Sequence, residues 1–397
     1  MPIASRPDTS LRIVVTGLLA QYPLGGVAWD YLQYPVGLQR LGHDVYYVED
    51  TGQWPFNPVE RGVSKGCDYN VRHLAALMQR FGLEDRWAYC FPWGDQWFGM
   101  SDEKRADVLA TADVFLNISG VWRNPVELRQ QTDARLVFID SDPVFTQVKL
   151  ARGQVDFRRA VDAHDVHFSF GEAQSGLVPA TGHTWLPTRQ PVLLDEWVPM
   201  DGAVRDVFTT VMNWTSYKPV QFEGVTYGQK DVEFRRFLDL PSAVEPIRLE
   251  VAMSSGKNRR APLGMLRHRG WRIVDPAETC PDLDSYRRYV ATSRGEWSVA
   301  KHAYVVGAPG WFSCRSACYL AAGRPVVVED TGLGGVIPTG EGVVTCTDLE
   351  EAAEQLRAVD GDIVRHASAA REIAVEYFDS ARVLDDLLAR VTEAVPT

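Results

Sequence analysis

Between Gly310 and Gly332 the chain reads Gly310-Trp-Phe-Ser-Cys-Arg-Ser-Ala-Cys-Tyr-Leu-Ala-Ala-Gly-Arg-Pro-Val-Val-Val-Glu-Asp-Thr-Gly332. A loop of small residues enters a helix-forming stretch, which Gly323 and Arg324-Pro325 end before an apolar strand and a polar Asp330-Thr331-Gly332 loop. Free amide N–H groups at a helix start, aided by the helix dipole, attract a diphosphate. Ser313 and Ser316 add hydroxyl donors and Arg315 a charge-assisted contact. With Gly310, Trp311 and Phe312 in the entering loop, they form a candidate diphosphate cradle. The same stretch also reads as an ordinary βα turn.

Other residues could serve such a site. Asn213-Trp214 follows an expected strand, and Trp214 either stacks on a base or sugar or caps the strand apolarly. Ser254-Ser-Gly-Lys-Asn-Arg-Arg260 is a compact positive loop or a solvated turn. Arg294 and Lys301 either offset phosphate charge or lie on an exposed face. Asp140-Ser-Asp142 ends another strand before Pro143. It has the spacing of a metal-binding pair but falls in the first half of the chain, so no metal is assigned. Cys314 and Cys318 stand one helical turn apart without a second Cys/His pair, and they too suggest no metal. His167 and His183 read as structural.

The elements that must position these groups alternate. Leu11–Thr16 is an apolar strand, Val27–Leu41 a helix that Pro35 kinks or starts, and Asp44–Val48 the next strand. This is a βαβ unit and implies a parallel sheet. Strands follow at 113–119, 134–140 and 164–170. Prolines at 179, 187, 191 and 199 suggest a joint. A second series then opens, with strands at 206–212, 247–252, 271–274, 303–306 and 325–329, and helices at 231–238, 285–291, 316–322 and from 349 to 391. No G-x-G-x-x-G follows the first strand, which weakens a dinucleotide-binding reading.

The 397 residues suit two domains. Hydrophobic residues at 45% and charged residues at 23% support a large core. A net charge of -11 argues against a nucleic-acid or anionic-membrane partner. Aromatic residues (12 Trp, 14 Tyr, 16 Phe) are numerous enough to line a sugar or base site. No apolar run reaches the ~20 residues of a membrane span. The first ten residues lack a secretory signal. Six scattered cysteines without a C-x-x-C pair fit reduced thiols and a cytoplasmic location.

Leu320–Val327 resembles the "Ala-Ala-Gly-x-Pro-Val-Val" run in the donor half of GT-B glycosyltransferases, where it follows the helix that binds the nucleotide diphosphate. Pro338-Thr-Gly-Glu-Gly342, Glu376-Tyr-Phe-Asp379 before a last helix, and Tyr31–Tyr47 are also similar to that family. The resemblance implies an α/β fold of two Rossmann-like doubly wound domains facing a cleft. Residues 1–195 would bind the acceptor, 196–378 would bind the nucleotide sugar, and the helix at 379–397 would cross back. It implies a glycosyltransferase that moves a sugar from a nucleotide-diphosphate sugar, as co-substrate, to a hydroxylated small molecule without other cofactor or metal. An epimerase, a phosphorylase or a catalytically silent binding protein of the same fold is the alternative. No feature sets an oligomeric state. By the same resemblance Lys257 would contact the diphosphate, and Asp330 and Thr331 the donor sugar. Gly25, Gly26 and Asp142 would flank the acceptor, and Asp30 would act as general base if the reaction inverts. One departure stands out. Where the family places two glutamates, one of them on the ribose diol, this chain has Gly310 and Cys318. Either a deoxyribose donor such as a dTDP-sugar, or a loop shift of one or two residues, accounts for this.

Overall fold

The computed structural model describes residues 10–173, 175, 177–198, 204–254 and 260–393. The chain forms two compact units. The first comprises Met1–Ser141, Gln154–Phe168 and Ser380–Thr397; the second comprises Asp142–Gly153 and Ser169–Asp379.

In the first unit, β1 (Arg12–Thr16), α1 (Gly25–Arg40) and β2 (Asp44–Glu49) form the expected βαβ turn. Next come α2 (Asp68–Arg80), β3 (Trp87–Phe91), β4 (Gln96–Gly99), α3 (Asp102–Ala110), β5 (Val114–Ile118), α4 (Pro125–Gln131) and β6 (Arg135–Asp140). The chain then contributes α5 (Phe145–Ala151) to the second unit and returns with α6 (Val155–Asp162) and β7 (Val166–Ser169). Among these strands the sheet order is β7-β6-β5-β1-β2-β3-β4, with only β4 running antiparallel to its neighbour among the registers resolved, and the short strand Trp185–Pro187 pairs beside β7. β1 is apolar almost throughout because it is central and covered on both faces. Val14, Tyr46, Val48, Phe115 and Leu136 form one of its packed faces. Helix α1 starts well before Pro35 and runs through it.

In the second unit the strands are β8 (Phe208–Asn213), β9 (Leu249–Ser254), β10 (Arg272–Val274), β11 (Gly295–Ser298), β12 (Val326–Glu329) and β13 (Val343–Cys346). Between them lie α7 (Lys230–Glu233), α8 (Leu283–Ala291), α9 (His302–Gly307) and α10 (Cys314–Ala321). α11 (Leu349–Gly361) and α12 (Ile363–Ile373) follow. The order is β10-β9-β8-β11-β12-β13, all parallel, the doubly wound arrangement. Phe234 anchors the core, with ring centroids 4.8 Å from Trp271, 5.5 Å from Trp214 and 5.6 Å from Trp297. The final helix, α13 (Ser380–Glu393), belongs to the first unit and packs on α1 at Gly37. A Cβ at Gly37 would lie 2.5 Å from Leu384 Cδ1 and 3.2 Å from Ser380 Cβ, so a larger residue there would force Leu384 to move.

One strand assignment fails. Residues 303–306, expected as a strand, lie in helix α9, and the strand is the more polar Gly295–Ser298. A run of four apolar residues suits either structure, and Glu296 is tolerated in a buried strand because Arg315 pairs with it. Among the described residues no helix is long and apolar enough to cross a membrane.

Candidate functional site

In the second sheet the strand order reverses between β8 and β11. The crevice at their carboxyl ends is where a doubly wound sheet receives ligands. A small pocket opens beside it. Its lining includes Ser298, Val299 and Ala300 after β11, Val328 and Glu329 on β12, and Thr331 and Leu333 beyond. Trp311, Phe312, Ser313 and Ser316, from the start of α10, complete it. Five expected donor residues (Trp311, Phe312, Ser313, Ser316 and Thr331) thus meet at one place.

The loop that brings them there is stapled. Gly310 N–H donates to the Thr331 carbonyl at 2.7 Å, and Thr331 Oγ1 donates to the Trp311 carbonyl at 2.6 Å. Gly310 has φ +70, and a Cβ there would lie 2.7 Å from Val336 Cγ2 and 2.9 Å from the backbone nitrogen of Ala173. Trp311 stacks on Tyr304 with centroids 4.3 Å apart, and Phe312 packs against Phe378 at 5.3 Å. Ser313 stands at the N-cap of α10 but its side chain caps nothing. Ser316, the third helical residue, is fully buried, and its Oγ has no hydrogen-bond partner among the described residues. Leaving a buried hydroxyl unpaired costs about 1–3 kcal/mol.

Beneath the pocket lies a carboxyl pair. Glu329 accepts the Ala300 N–H at 3.0 Å. Burial, together with the hydrogen bond to Glu233 and the charge of Glu233, raises its pKa and keeps it protonated. For Glu233 burial works the same way. Hydrogen bonds from His302, Glu329 and Arg236 outweigh it, so Glu233 stays ionised. Arg236 bridges both, at 2.6 Å from Glu233 and 3.2 Å from Glu329. A neutral Glu329 removes the repulsion that a carboxylate would exert on an incoming phosphate.

One cation outside the pocket lining, within electrostatic reach of Glu329, is one that sequence reasoning passed over. Lys230 opens α7 and is partly buried, with no hydrogen bond or ion pair among the described residues. Burial and the nearby charges of Arg315 and Lys301 push its pKa well down, against a partial pull from Glu296 and Glu329. The shift favours the neutral amine in the unliganded fold. The signal in the sequence was slight: one lysine after Gly228-Gln229, where the chain enters a helix.

Other expected site residues lie elsewhere. Arg315 turns away from the pocket, its Nε on Glu296 and its Nη1 3.0 Å from the Val211 carbonyl. Trp214 is buried in the core against Phe234 rather than open for stacking. Arg294 precedes β11 on the amino edge of the sheet and is bound to Asp360, because a parallel strand puts its preceding residue opposite the ligand edge. Asn213 is exposed at the end of β8 and accepts from Ser254 Oγ. The Asp330 carboxylate receives Gly332 N–H at 2.9 Å and Leu333 N–H at 3.1 Å, closing its own turn. Lys257 lies outside the described residues.

Asp142 falls in the second unit, where its carboxylate holds Lys301 Nζ at 2.7 Å and accepts from Tyr217 and Tyr304. Burial would raise its pKa, but the charge and hydrogen bond of Lys301 outweigh burial and hold it low. Its oxygens are therefore committed within the fold. In the first unit Asp30 sits half-buried inside α1, which Gly25 and Gly26 begin.

No family model matches the chain, and no curated protein matches its sequence. Solved structures do match its fold. An alpha-glucosyltransferase in complex with UDP superposes with TM-score 0.58 at 12% identity, over 96% of this chain and 100% of the other. HepE from Anabaena in complex with UDP-glucose gives TM-score 0.58 at 11% identity, over 96% and 99%. The chain has the fold of the GT-B glycosyltransferases. An alpha-glucosyltransferase complex with UDP and a 13-mer DNA matches as well, with TM-score 0.57 at 13% identity over 96% and 100%. The exclusion of nucleic acid argued from net charge is therefore withdrawn. A charge summed over the whole chain does not describe the surface that meets an acceptor.

Proposed function

We propose that the chain is a glycosyltransferase whose second unit binds a nucleoside-diphosphate sugar at the start of α10. The observation that carries this is the buried, unpartnered Ser316 hydroxyl lining a pocket at a helix N-terminus. The Lys230 amine, which no hydrogen bond or ion pair engages among the described residues and which would take up a proton on binding an anion, and the protonated Glu329 support it, as do neighbours of the same fold that hold UDP or UDP-glucose.

In this reading the first-turn amides of α10, Ser316 Oγ and Lys230 receive the diphosphate. As the bond between the sugar's anomeric carbon and the diphosphate oxygen breaks, charge grows on the leaving oxygen. These donors stabilise it there. The anomeric carbon then bonds to an acceptor hydroxyl oxygen, whose proton passes to a base. For an inverting reaction we assign that base to Asp30. The three groups that would hold the diphosphate supply charge stabilisation without a metal ion. Six cysteines, none of them in a disulfide, favour a cytosolic setting.

The test is a calorimetric and thermal-shift panel of UDP, dTDP, GDP and UMP on the full chain. A diphosphate present at 100 times its Kd should stabilise the protein by about 2.7 kcal/mol, and UMP should do far less. Preference for dTDP would fit Cys318 in place of a ribose-binding glutamate. No stabilisation by any diphosphate would overturn the assignment.

A further inference from the structure

We infer that the first unit carries a carbohydrate-stacking platform made of Trp54 and Trp93, which receives a neutral saccharide as the acceptor end. The platform stands at the carboxyl ends of β2 and β3, the edge on which such sheets receive ligands. Trp93 is 71% exposed and Trp54 36%, with ring centroids 5.8 Å apart and planes at 39°. Phe91, buried, supports Trp54 edge-on at 5.6 Å. Neither indole N–H has a partner among the described residues, so both are available to a ligand oxygen.

Rings this exposed are normally unfavourable, yet the backbone beneath Trp54 is held firmly. Gln21 Nε2 donates to the Trp54 carbonyl at 2.5 Å, and Gln21 Oε1 accepts from Thr51 Oγ1 at 3.0 Å. The Glu49 carboxylate in turn receives the N–H groups of Ala20 at 2.8 Å and Gln21 at 2.6 Å. Asn70 Nδ2 bonds the carbonyls of Ala20 and Phe56, which ties both loops to α2. The Trp54 loop is thus a supported one, and Trp93 from the turn after β3 stands against its ring.

Charge selects the occupant. Asp95, exposed two residues after Trp93, and the buried Asp50 both pair with Arg123, at 2.6 and 3.0 Å. Phosphates would meet carboxylates whose guanidinium is already bound. An uncharged sugar ring offers C–H faces to the indoles and hydroxyls to the exposed Asp95.

This inference rests on the glycosyltransferase reading, since it names the acceptor for the same reaction. It is tested by saturation-transfer NMR and tryptophan-fluorescence titration of the full chain. The probes are methyl glycosides and disaccharides of glucose, galactose, mannose and N-acetylglucosamine, and UDP is titrated in parallel. At least one saccharide should bind, and Trp93→Ala should weaken it by about tenfold or more, the equivalent of about 1.4 kcal/mol. Trp93→Tyr should restore most of the binding, and UDP affinity should not change in either variant. The platform is overturned if no saccharide binds while UDP does, or if Trp93→Ala leaves saccharide binding intact. It is equally overturned if the Trp93-dependent ligand is a short single-stranded DNA, or a second copy of the chain seen by ultracentrifugation. Saccharide binding without UDP binding would instead remove the donor-site reading and leave the platform standing.

Discussion

Replacing Lys230 by methionine keeps most of the length of the side chain and removes its charge. A unit charge pair about 4 Å apart at an effective dielectric near 20 attracts by about 4 kcal/mol. Lost hydration takes back much of this, and hydrogen bonds to charged groups contribute about 1.5–3 kcal/mol net. At about 1.4 kcal/mol per decade, Lys230→Met should weaken UDP binding by about 10- to 150-fold. The unliganded protein should respond in the opposite sense. Lys230 is partly buried near Arg315 and Lys301, and its folded pKa lies below its unfolded value. The unfolded chain therefore binds more protons, so wild-type stability rises with pH between those two values. The variant should lack that rise and melt higher than wild type at neutral pH. Calorimetry in buffers of differing ionisation enthalpy adds a third readout. At a pH where unliganded Lys230 is neutral, UDP binding should take up a proton in wild type and none in the variant. Wild-type UDP affinity in Lys230→Met, or a less stable unliganded variant, would refute the assignment.

Ser316→Ala removes a buried hydroxyl that has no partner, so the unliganded fold should hold or gain stability while UDP binding falls by roughly 0.5–1.5 kcal/mol, read by paired thermal-shift and calorimetric titrations. Gly310→Ala forces a left-handed residue against Val336 and the backbone of Ala173. Chemical denaturation should show a loss of about 2–4 kcal/mol from strain and overpacking together. Burial raises the pKa of Glu49 to about 7, against hydrogen bonds from Tyr47, Ala20 and Gln21. The folded state therefore binds the extra proton, so its stability should fall by up to about 3 kcal/mol as pH rises from about 4.5 to 7. Glu49→Gln should abolish this slope in denaturation curves measured across that range. Transferase activity should survive chelation by EDTA, because the Asp142 carboxylate is engaged by Lys301, Tyr217 and Tyr304.

The fold was legible where apolar runs are long or bounded by glycine and proline, as at Leu11–Thr16 and Pro325–Glu329. It was misread at 295–306, where a buried ion pair hides a polar strand and a short apolar helix imitates one. The loop from Gly310 and the helix start were readable from residue type, and Ser313, Ser316 and Thr331 line one pocket of the candidate site. Charged side chains were harder to place. Arg315 and Arg294 find acidic partners far away in sequence, Glu296 and Asp360. No local pattern encodes which arginine is already paired. Lys230 carries no local signal either, since what sets it apart is that no hydrogen bond or ion pair engages it among the described residues.

The return of α13 to α1 has a consequence for synthesis. The second unit is complete once residue 379 has been made, whereas the first still needs α13. Domains usually fold as they emerge, amino-terminal first. Here the opening segment must leave the ribosome with the α1 face around Gly37 uncovered and wait for Leu384 to arrive. Nascent chains stalled before Ser380 should therefore engage chaperones through that face, and release of the final helix should end the engagement.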